Sequence, residues 1–533
     1  MRKNAVSYAI GKLLQVMGVA LLAPLGIAVW DNRSLGWPDL VHAVDVHGFL
    51  VAFAVSILFG TALVLFAREG RDRQGLREGY AIVTLGWLGL ALIGAIPLFI
   101  YFSQIRGGSG FDKVLLDFTD AYFEIMSGFT TTGASILTDI EIVPRSLLFL
   151  RALTHWLGGM GIITLAIVIF PAMGVSAYGM FRGEVPGPSK DRLRPRLAQT
   201  AQILWGVYGL LTAAEVVLLM IAGMDWFDAV CHSFATMATG GFSNRNASVA
   251  GYESDLVEWI IMLFMFFAGI NFVLHFKTLR GDLKSLVRNR EFLFYSGVIL
   301  ATILIITAVL YINGPVPEEA AAEHFRAGHP TVEEFHAHYI QQSDRLEGLY
   351  DCFRIASFQT LSIVTTTGFA TADFDLWPDF LRFLLVFLMF FGGCAGSTGG
   401  GMKMIRIMVV FKTAVLELRK LIQPRLVTTV KIGDMPIEDD KVINIASFFI
   451  LFVGLFVITG ALMTLFVPDL TTAVACSIAT IGNIGPGLAG IGAVENYAWI
   501  PIPGKWILVL SMLLGRLEIF TVLIVFRVAT WRK

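Results

Sequence analysis

The chain has 533 residues, 56% hydrophobic and only 15% charged, with a formal net charge of -1. Soluble domains run about 45–50% apolar and about 25% charged, so a soluble globular protein is excluded. Apolar runs of about 18 residues or more recur, and each is a membrane-helix candidate. A bilayer admits only helices or a closed barrel. These runs far exceed the ~10-residue alternating strands of a barrel, so the fold class is an all-α polytopic membrane protein. No nucleic-acid partner is expected. Cys231, Cys352, Cys394 and Cys476 are scattered without metal spacing and read as small apolar residues in packed helices. The segment after Met1-Arg2-Lys3-Asn4 lacks a small-residue cleavage signature and reads as a retained first helix.

The first two apolar segments, 5–30 and 46–66, form an N-terminal two-helix region (1–79) outside any repeat. Four units follow, each a long apolar helix, a short half-polar helix, a turn and a second long helix. Unit one (80–197) has 80–102, 112–129, the turn 130–135 and 146–170. Unit two (198–291) has 200–222, 225–237, 238–243 and 257–276. Unit three (292–431) has 292–313, 349–363, 364–370 and 380–411. Unit four (432–533) has 441–466, 469–479, 480–487 and 505–528. Such an internal repeat predicts four pseudo-symmetric helix–pore-helix–helix units around a central pore.

Charge placement tests that topology. The connections 67–79, 177–197, 277–291 and 403–431 hold 4, 5, 5 and 7 Lys/Arg, and the opposite connections, though longer, hold fewer. The positive-inside rule assigns these four connections and both termini to the cytoplasm and all four turns to the outer side. The outer insertion 314–348 carries seven Asp/Glu with His324, His329, His336 and His338. It reads as a solvated loop, with a metal site or a weak cation-attracting role as alternatives.

The turns suit a cation. A dehydrated ion needs oxygens that replace its water, and rings of backbone carbonyls supply them. Gly133, Gly240, Gly368 and Gly482 are expected at one offset in each repeat. Thr132, Thr239, Thr367 and Ile481 would add carbonyl layers, and Thr131, Thr366 and Thr480 hydroxyls, which Ala238 cannot. The short helices aim their C-terminal, negative dipole ends into the membrane, which favours a cation there.

Gly392 to Met402 reads GGCAGSTGGGM. Gly392, Gly393, Gly396, Gly399, Gly400 and Gly401, with Ser397 and Thr398 among them, cannot hold a regular helix, because each glycine costs about 1 kcal/mol relative to Ala. The expected break lies below the turns as a flexible loop plugging the pore, or else as a helix-packing kink. Phosphate-loop and nucleophile-elbow spacings are absent. Arg516 lies inside the last apolar stretch. Charge at that depth is expensive and functional by default, either as a barrier and loop-holder or in a pair with Glu518 or Glu124. Glu124 is an alternative brace behind the first turn. His155 reads as a packing or hydrogen-bonding residue, and HWLGGMG (155–161) as a close helix contact. An intramembrane enzyme using Ser397 or His155 lacks a paired nucleophile and base, so no catalysis is expected.

AYFEIMSGFTTTGAS (121–135), HWLGGMGI (155–162), MATGGFSN (237–244), TTTGF (365–369), GGCAGSTGGGMKMIR (392–406) and GNIGP (482–486) together resemble the TrkH/TrkG branch of the Trk/Ktr/HKT potassium transporter superfamily. The resemblance spans essentially the whole chain. It implies potassium uptake across the bacterial inner membrane, with K+ as the ion and no covalently bound cofactor. It also implies a homodimer with one pore per protomer and regulation by cytosolic TrkA-like subunits that bind NAD(H) or ATP/ADP. By motif, Gly133, Gly240, Gly368 and Gly482 become filter glycines, 392–401 the intramembrane gate and Arg516 the pore arginine. In related plant transporters a serine at the first filter glycine goes with sodium; Gly133 favours potassium. Unit four departs from unit three, with Ile481 and Asn483 in place of Thr367 and Phe369. A potassium–proton or potassium–sodium symporter on the same scaffold is the alternative.

Overall fold

In the computed structural model, residues 2–70, 76–168, 193–315, 346, 348–424, 428–433, 435–527 and 531 are described. The four histidines of the outer insertion and most of the connection 177–197 lie outside the described residues. Six described helices are long and apolar enough to cross a membrane: Lys3–Asp31, Val44–Phe66, Arg77–Ile105, Thr200–Ile221, Arg290–Asn313 and Asp439–Met463. Their exposed large side chains, such as Leu58, Phe59, Leu300, Leu304 and Ile450, are what a lipid solvent requires. The chain is a multi-pass helical membrane protein; a short hairpin, Lys431–Ile432 against Met435–Pro436, is a minor exception to its helical character.

The N-terminal pair packs through glycine. A Cβ built on Gly11 would stand 2.7 Å from Gly60 O, and one built on Gly60 would stand 2.9 Å from Gly11 O. Small residues let the two backbones approach this closely, which drives helix association in lipid.

Each repeat contains its short helix: Phe111–Phe129, Trp226–Met237, Leu349–Val364 and Leu470–Ile481. Asp225 and Asp469 cap two of them by accepting from Phe227 N and Thr472 N, which satisfies donors left open at a helix start. The second long helices differ from expectation. Among the described residues, Arg145–Val168 alone runs through in one piece. In unit two, Asp255–Ala268 and Phe272–Leu279 meet at 103°, and in unit four Ile502–Arg516 and Ile519–Phe526 meet at 118°. The sequence reading had both as continuous, because an apolar run does not reveal a bend. The local causes are polar. Asn271 accepts from Val273 N at 2.9 Å and restarts its helix. Glu518 adopts φ 60 and is held by Arg406 at 2.6 Å. In unit three Asp379–Leu388 stops, and Met404–Ile422 resumes after the glycine stretch.

Candidate functional site

The four short helices end in one backbone pattern. In unit one Thr131 N bonds Gly128 O and Thr132 N bonds Ser127 O. The same three-back and five-back bonds recur from Thr239 and Gly240, from Thr366 and Thr367, and from Asn483 and Ile484. The first residue of each pair is left-handed, at φ 49, 55, 61 and 55 for Thr131, Thr239, Thr366 and Asn483. Two residues on, a glycine is again at positive φ: Gly133 (81), Gly241 (81), Gly368 (85) and Gly485 (96). All four first residues are non-glycine in a region that L residues rarely adopt, and such strain clusters at functional sites.

These glycines close a ring. A Cβ on Gly133 would overlap Gly240 O, one on Gly241 would overlap Thr367 O, one on Gly368 would overlap Ile484 O, and one on Gly485 would stand 2.5 Å from Thr132 O. Each repeat thus presses its glycine against the carbonyl of the next, and the fourth returns to the first. The ring carbonyls are those of Thr132, Gly240, Thr367 and Ile484. The expected offset needs correction in two repeats. Gly240 occupies the place of Thr132 and Thr367, and the ring glycine beside it is Gly241. In unit four the shift is three residues. Thr480 and Ile481 belong to the last helical turn and Gly482 is its cap at φ -76, equivalent to Thr130, Ala238 and Thr365. Asn483, Ile484 and Gly485 form the wall. A Thr-x-Gly or Asn-x-Gly spacing was the available signal, because asparagine tolerates the left-handed conformation that the first position requires.

Side chains behind the ring fix it. Thr130 and Thr132 hydroxyls pair at 2.8 Å, as do Thr365 and Thr367, so these hydroxyls brace the wall. Asn483 Nδ2 donates to Thr132 Oγ1 at 3.0 Å and to Met512 O at 2.9 Å. Thr131 Oγ1 and Asn483 Oδ1 are buried acceptors without a partner among the described residues. His155 Nδ1 donates to Gly128 O at 2.8 Å and its Nε2 accepts from Phe242 N at 3.3 Å, a structural role. Gly158 and Gly161 of the same helix leave no room for a Cβ against Phe129 O and Trp87, the close contact expected.

Among the described residues, four buried ion pairs flank these helices: Arg151–Glu124 at 2.7 Å, Arg354–Glu258, Arg382–Asp375 at 3.3 Å and Lys505–Asp120 at 2.6 Å. Glu124 also accepts from Ser135 Oγ and Ile136 N, and Arg151 donates to Ser243 O, which ties the exits of the first two turns together. Glu124 is therefore the brace, and it is not the partner of Arg516. Arg151→Gln strands a buried carboxylate and is expected to cost about 3–5 kcal/mol of stability; a thermal-unfolding midpoint in detergent indistinguishable from wild type would refute this.

The glycine stretch is a loop pinched at its neck. Gly392 N bonds Met402 O at 2.6 Å and Met402 N bonds Phe390 O at 3.2 Å. Its tip sits against the second, third and fourth repeats. Thr398 Oγ1 donates to Met237 O at 2.9 Å, Gly400 N donates to Thr366 Oγ1 at 2.6 Å, and a Cβ on Gly400 would stand 2.5 Å from Gly482 O. Arg516 Nη1 donates to Thr398 O at 2.7 Å, and Nη2 reaches Gly158 O at 3.5 Å. Lys403 Nζ donates to Gly399 O at 2.6 Å. Among the described residues no carboxylate lies within ion-pair distance of Arg516, and Glu518 is taken by Arg406. Cys394 N and Gly269 O bond at 2.8 Å, and Phe272 N and Gly396 O at 3.1 Å, so the loop is seated in the break of unit two, which sequence reasoning missed.

A helical membrane protein whose four re-entrant turns close a carbonyl ring above an internal loop is defined by these features as a pore-loop architecture. Residues 47–531 match the family model described as TrkH, cation transport protein. The chain is 38% identical to the Trk system potassium uptake protein TrkH of Escherichia coli K12 over 100% of both chains. It is 29% identical to the TrkG protein of the same organism over 99% of each. The crystal structure of the potassium transporter TrkH from Vibrio parahaemolyticus superposes with a TM-score of 0.82 at 32% identity, covering 100% of both. The chain belongs to the TrkH family of cation transport proteins.

Proposed function

We propose that the chain takes up potassium across the bacterial inner membrane, with both termini cytoplasmic, through a filter made of the four walls. The observation that carries this reading is the cyclic closure of Gly133, Gly241, Gly368 and Gly485 on the carbonyls of Gly240, Thr367, Ile484 and Thr132. Carbonyl dipoles in a ring replace a cation's hydration shell. The Thr131, Thr239 and Thr366 positions, with Asn483 in the fourth wall, line the inner end. The loop 392–401 blocks the path below the ring, and Arg516 both holds it and places a fixed positive charge there. In this reading the protein works as a homodimer and answers to cytosolic nucleotide-binding TrkA-like subunits, as its resemblance to the Trk branch implies, and it performs no catalysis. Proteoliposomes of the full chain should accumulate radioactive rubidium, with potassium competing and sodium at the same concentration competing poorly; equal competition by sodium would sink the reading.

Coupling to protons is the second reading, and Glu215 favours it. This carboxyl group is fully buried within the span Thr200–Ile221 and makes no ion pair among the described residues. An ionisable side chain at that depth is costly and functional by default, and intramembrane carboxyl groups are the usual carriers in proton relays. Reversal potentials measured under an imposed proton gradient decide: a potential that tracks potassium alone removes the coupled reading.

A further inference from the structure

Glu291 stands in the first turn of Arg290–Asn313 and is 1% exposed. One carboxyl oxygen, Oε1, accepts from Ala395 N at 2.7 Å and from Ile405 N at 3.1 Å. Ala395 lies just inside the entry to the glycine loop, and Ile405 lies in the first turn of the helix that leaves it, Met404–Ile422. The carboxylate therefore faces the amino ends of two helices, its own and the one after the loop, where helix dipoles favour negative charge. It joins the two legs of the loop three residues past each side of the Gly392–Met402 neck in sequence, at Ala395 and Ile405.

We propose that Glu291 is a positioning residue that clasps the two legs of the intramembrane loop and keeps the loop seated beneath the ring. The inference rests on the reading of that loop as the block in a potassium path. Three charged groups then hold the loop from three directions. Arg516 takes Thr398 O at the tip, Lys403 takes Gly399 O from inside, and Glu291 takes the two N–H groups at the base. Arg516 and Lys403 both bind carbonyls, as a cation does. Glu291 is distinct because it binds donors. The clasp is reached from the cytoplasmic side: Asn289, which caps the helix by accepting from Phe292 N at 2.8 Å, follows directly on the basic segment Lys284–Arg288. A shift of that segment moves the carboxylate and with it both legs.

The native thiol of Cys394, 1% exposed and next to Ala395, reports on the clasp, and buried Cys231, Cys352 and Cys476 are internal controls. Full-length protein in inside-out vesicles is treated with a membrane-impermeant maleimide, and each cysteine peptide is quantified by mass spectrometry. Loss of two hydrogen bonds to a charged group by Glu291→Ala should raise Cys394 labelling by about tenfold or more, with the three controls unchanged. Rubidium flux should rise in step, while the rubidium-to-sodium ratio stays at wild type. Glu291→Gln keeps an acceptor at the same reach and should fall between wild type and Ala. A merely structural cap would not show this selective pattern. Cys394 labelling that stays at wild type in Glu291→Ala, or that rises equally at all four cysteines, overturns the clasp. Selective Cys394 labelling in a protein that carries no rubidium under any condition supports the clasp and overturns the potassium reading instead.

Discussion

Gly485→Ser should reduce the potassium-to-sodium permeability ratio by about tenfold or more, and Gly133→Ser should do the same. Both glycines sit at positive φ and abut a neighbouring carbonyl, Gly240 O for Gly133 and Thr132 O for Gly485. A side chain in that backbone region costs about 1–3 kcal/mol. The wall moves to relieve it, and the ring loses its shape. At about 1.4 kcal/mol per tenfold, the strain alone reaches the stated effect. Gly482→Ala is the matched control. Gly482 has φ -76 and caps a helix, so alanine is conformationally allowed there, although its Cβ would stand 2.8 Å from Ile478 O. It should lower stability and leave the ratio within about twofold of wild type. Bi-ionic reversal potentials in reconstituted bilayers measure all three. If Gly482→Ala abolishes discrimination and Gly485→Ser does not, the corrected register of the fourth wall is wrong.

Deletion of 396–401 should raise potassium flux, and Arg516→Ala should do so by a smaller factor. The deletion removes the tip that touches Met237 O, Thr366 Oγ1 and Gly482 O. The arginine variant removes the charged donor to Thr398 O and leaves Lys403 and the neck in place. A charge-assisted hydrogen bond contributes about 1.5–3 kcal/mol, so about ten- to hundredfold more flux is expected from Arg516→Ala if that bond is the limiting one. Arg516→Lys keeps a charge below the ring and loses the forked geometry, and it should give an intermediate flux. Concentrative rubidium uptake, normalised to protein recovered in the vesicles, is the measurement. Wild-type flux in the deletion variant would remove the loop as a block.

Most of the scaffold was legible in the sequence because its signals are long. Apolar runs and the fourfold recurrence of a short half-polar helix each extend over many residues. The loop was legible for a similar reason: Gly392 to Gly401 is too glycine-rich for any helix. What sequence reasoning misplaced was short. It aligned the repeats on Thr-Gly or Ile-Gly pairs, which set Gly240 beside Gly133 and chose Gly482. The folded chain is aligned instead by the left-handed residue, which is Asn483 in unit four. Register set by backbone dihedrals leaves only a weak trace in residue type, here the spacing of Thr or Asn to a glycine two positions on. The breaks at Gly269–Asn271 and Leu517–Glu518 were hidden for another reason. They depend on partners distant in the chain, since Glu518 finds Arg406 and Gly269 O finds Cys394 N. The partner of Arg516 could not be foreseen either, because it is a backbone carbonyl and carries no side-chain signature.

The closing contact of the ring has a bearing on biosynthesis. Asn483 Nδ2 reaches Thr132 Oγ1 across 351 residues of chain, and Gly485 abuts Thr132 O. A chain still on the ribosome with only three repeats inserted has an open side facing lipid, and no fourth wall to complete a selective path. The loop 392–401, the block in the proposed reading, belongs to the third repeat and is therefore made before the fourth. In that reading the order of translation installs the stopper before the conduit is complete, so that a half-made protein is not expected to short-circuit the membrane it is entering.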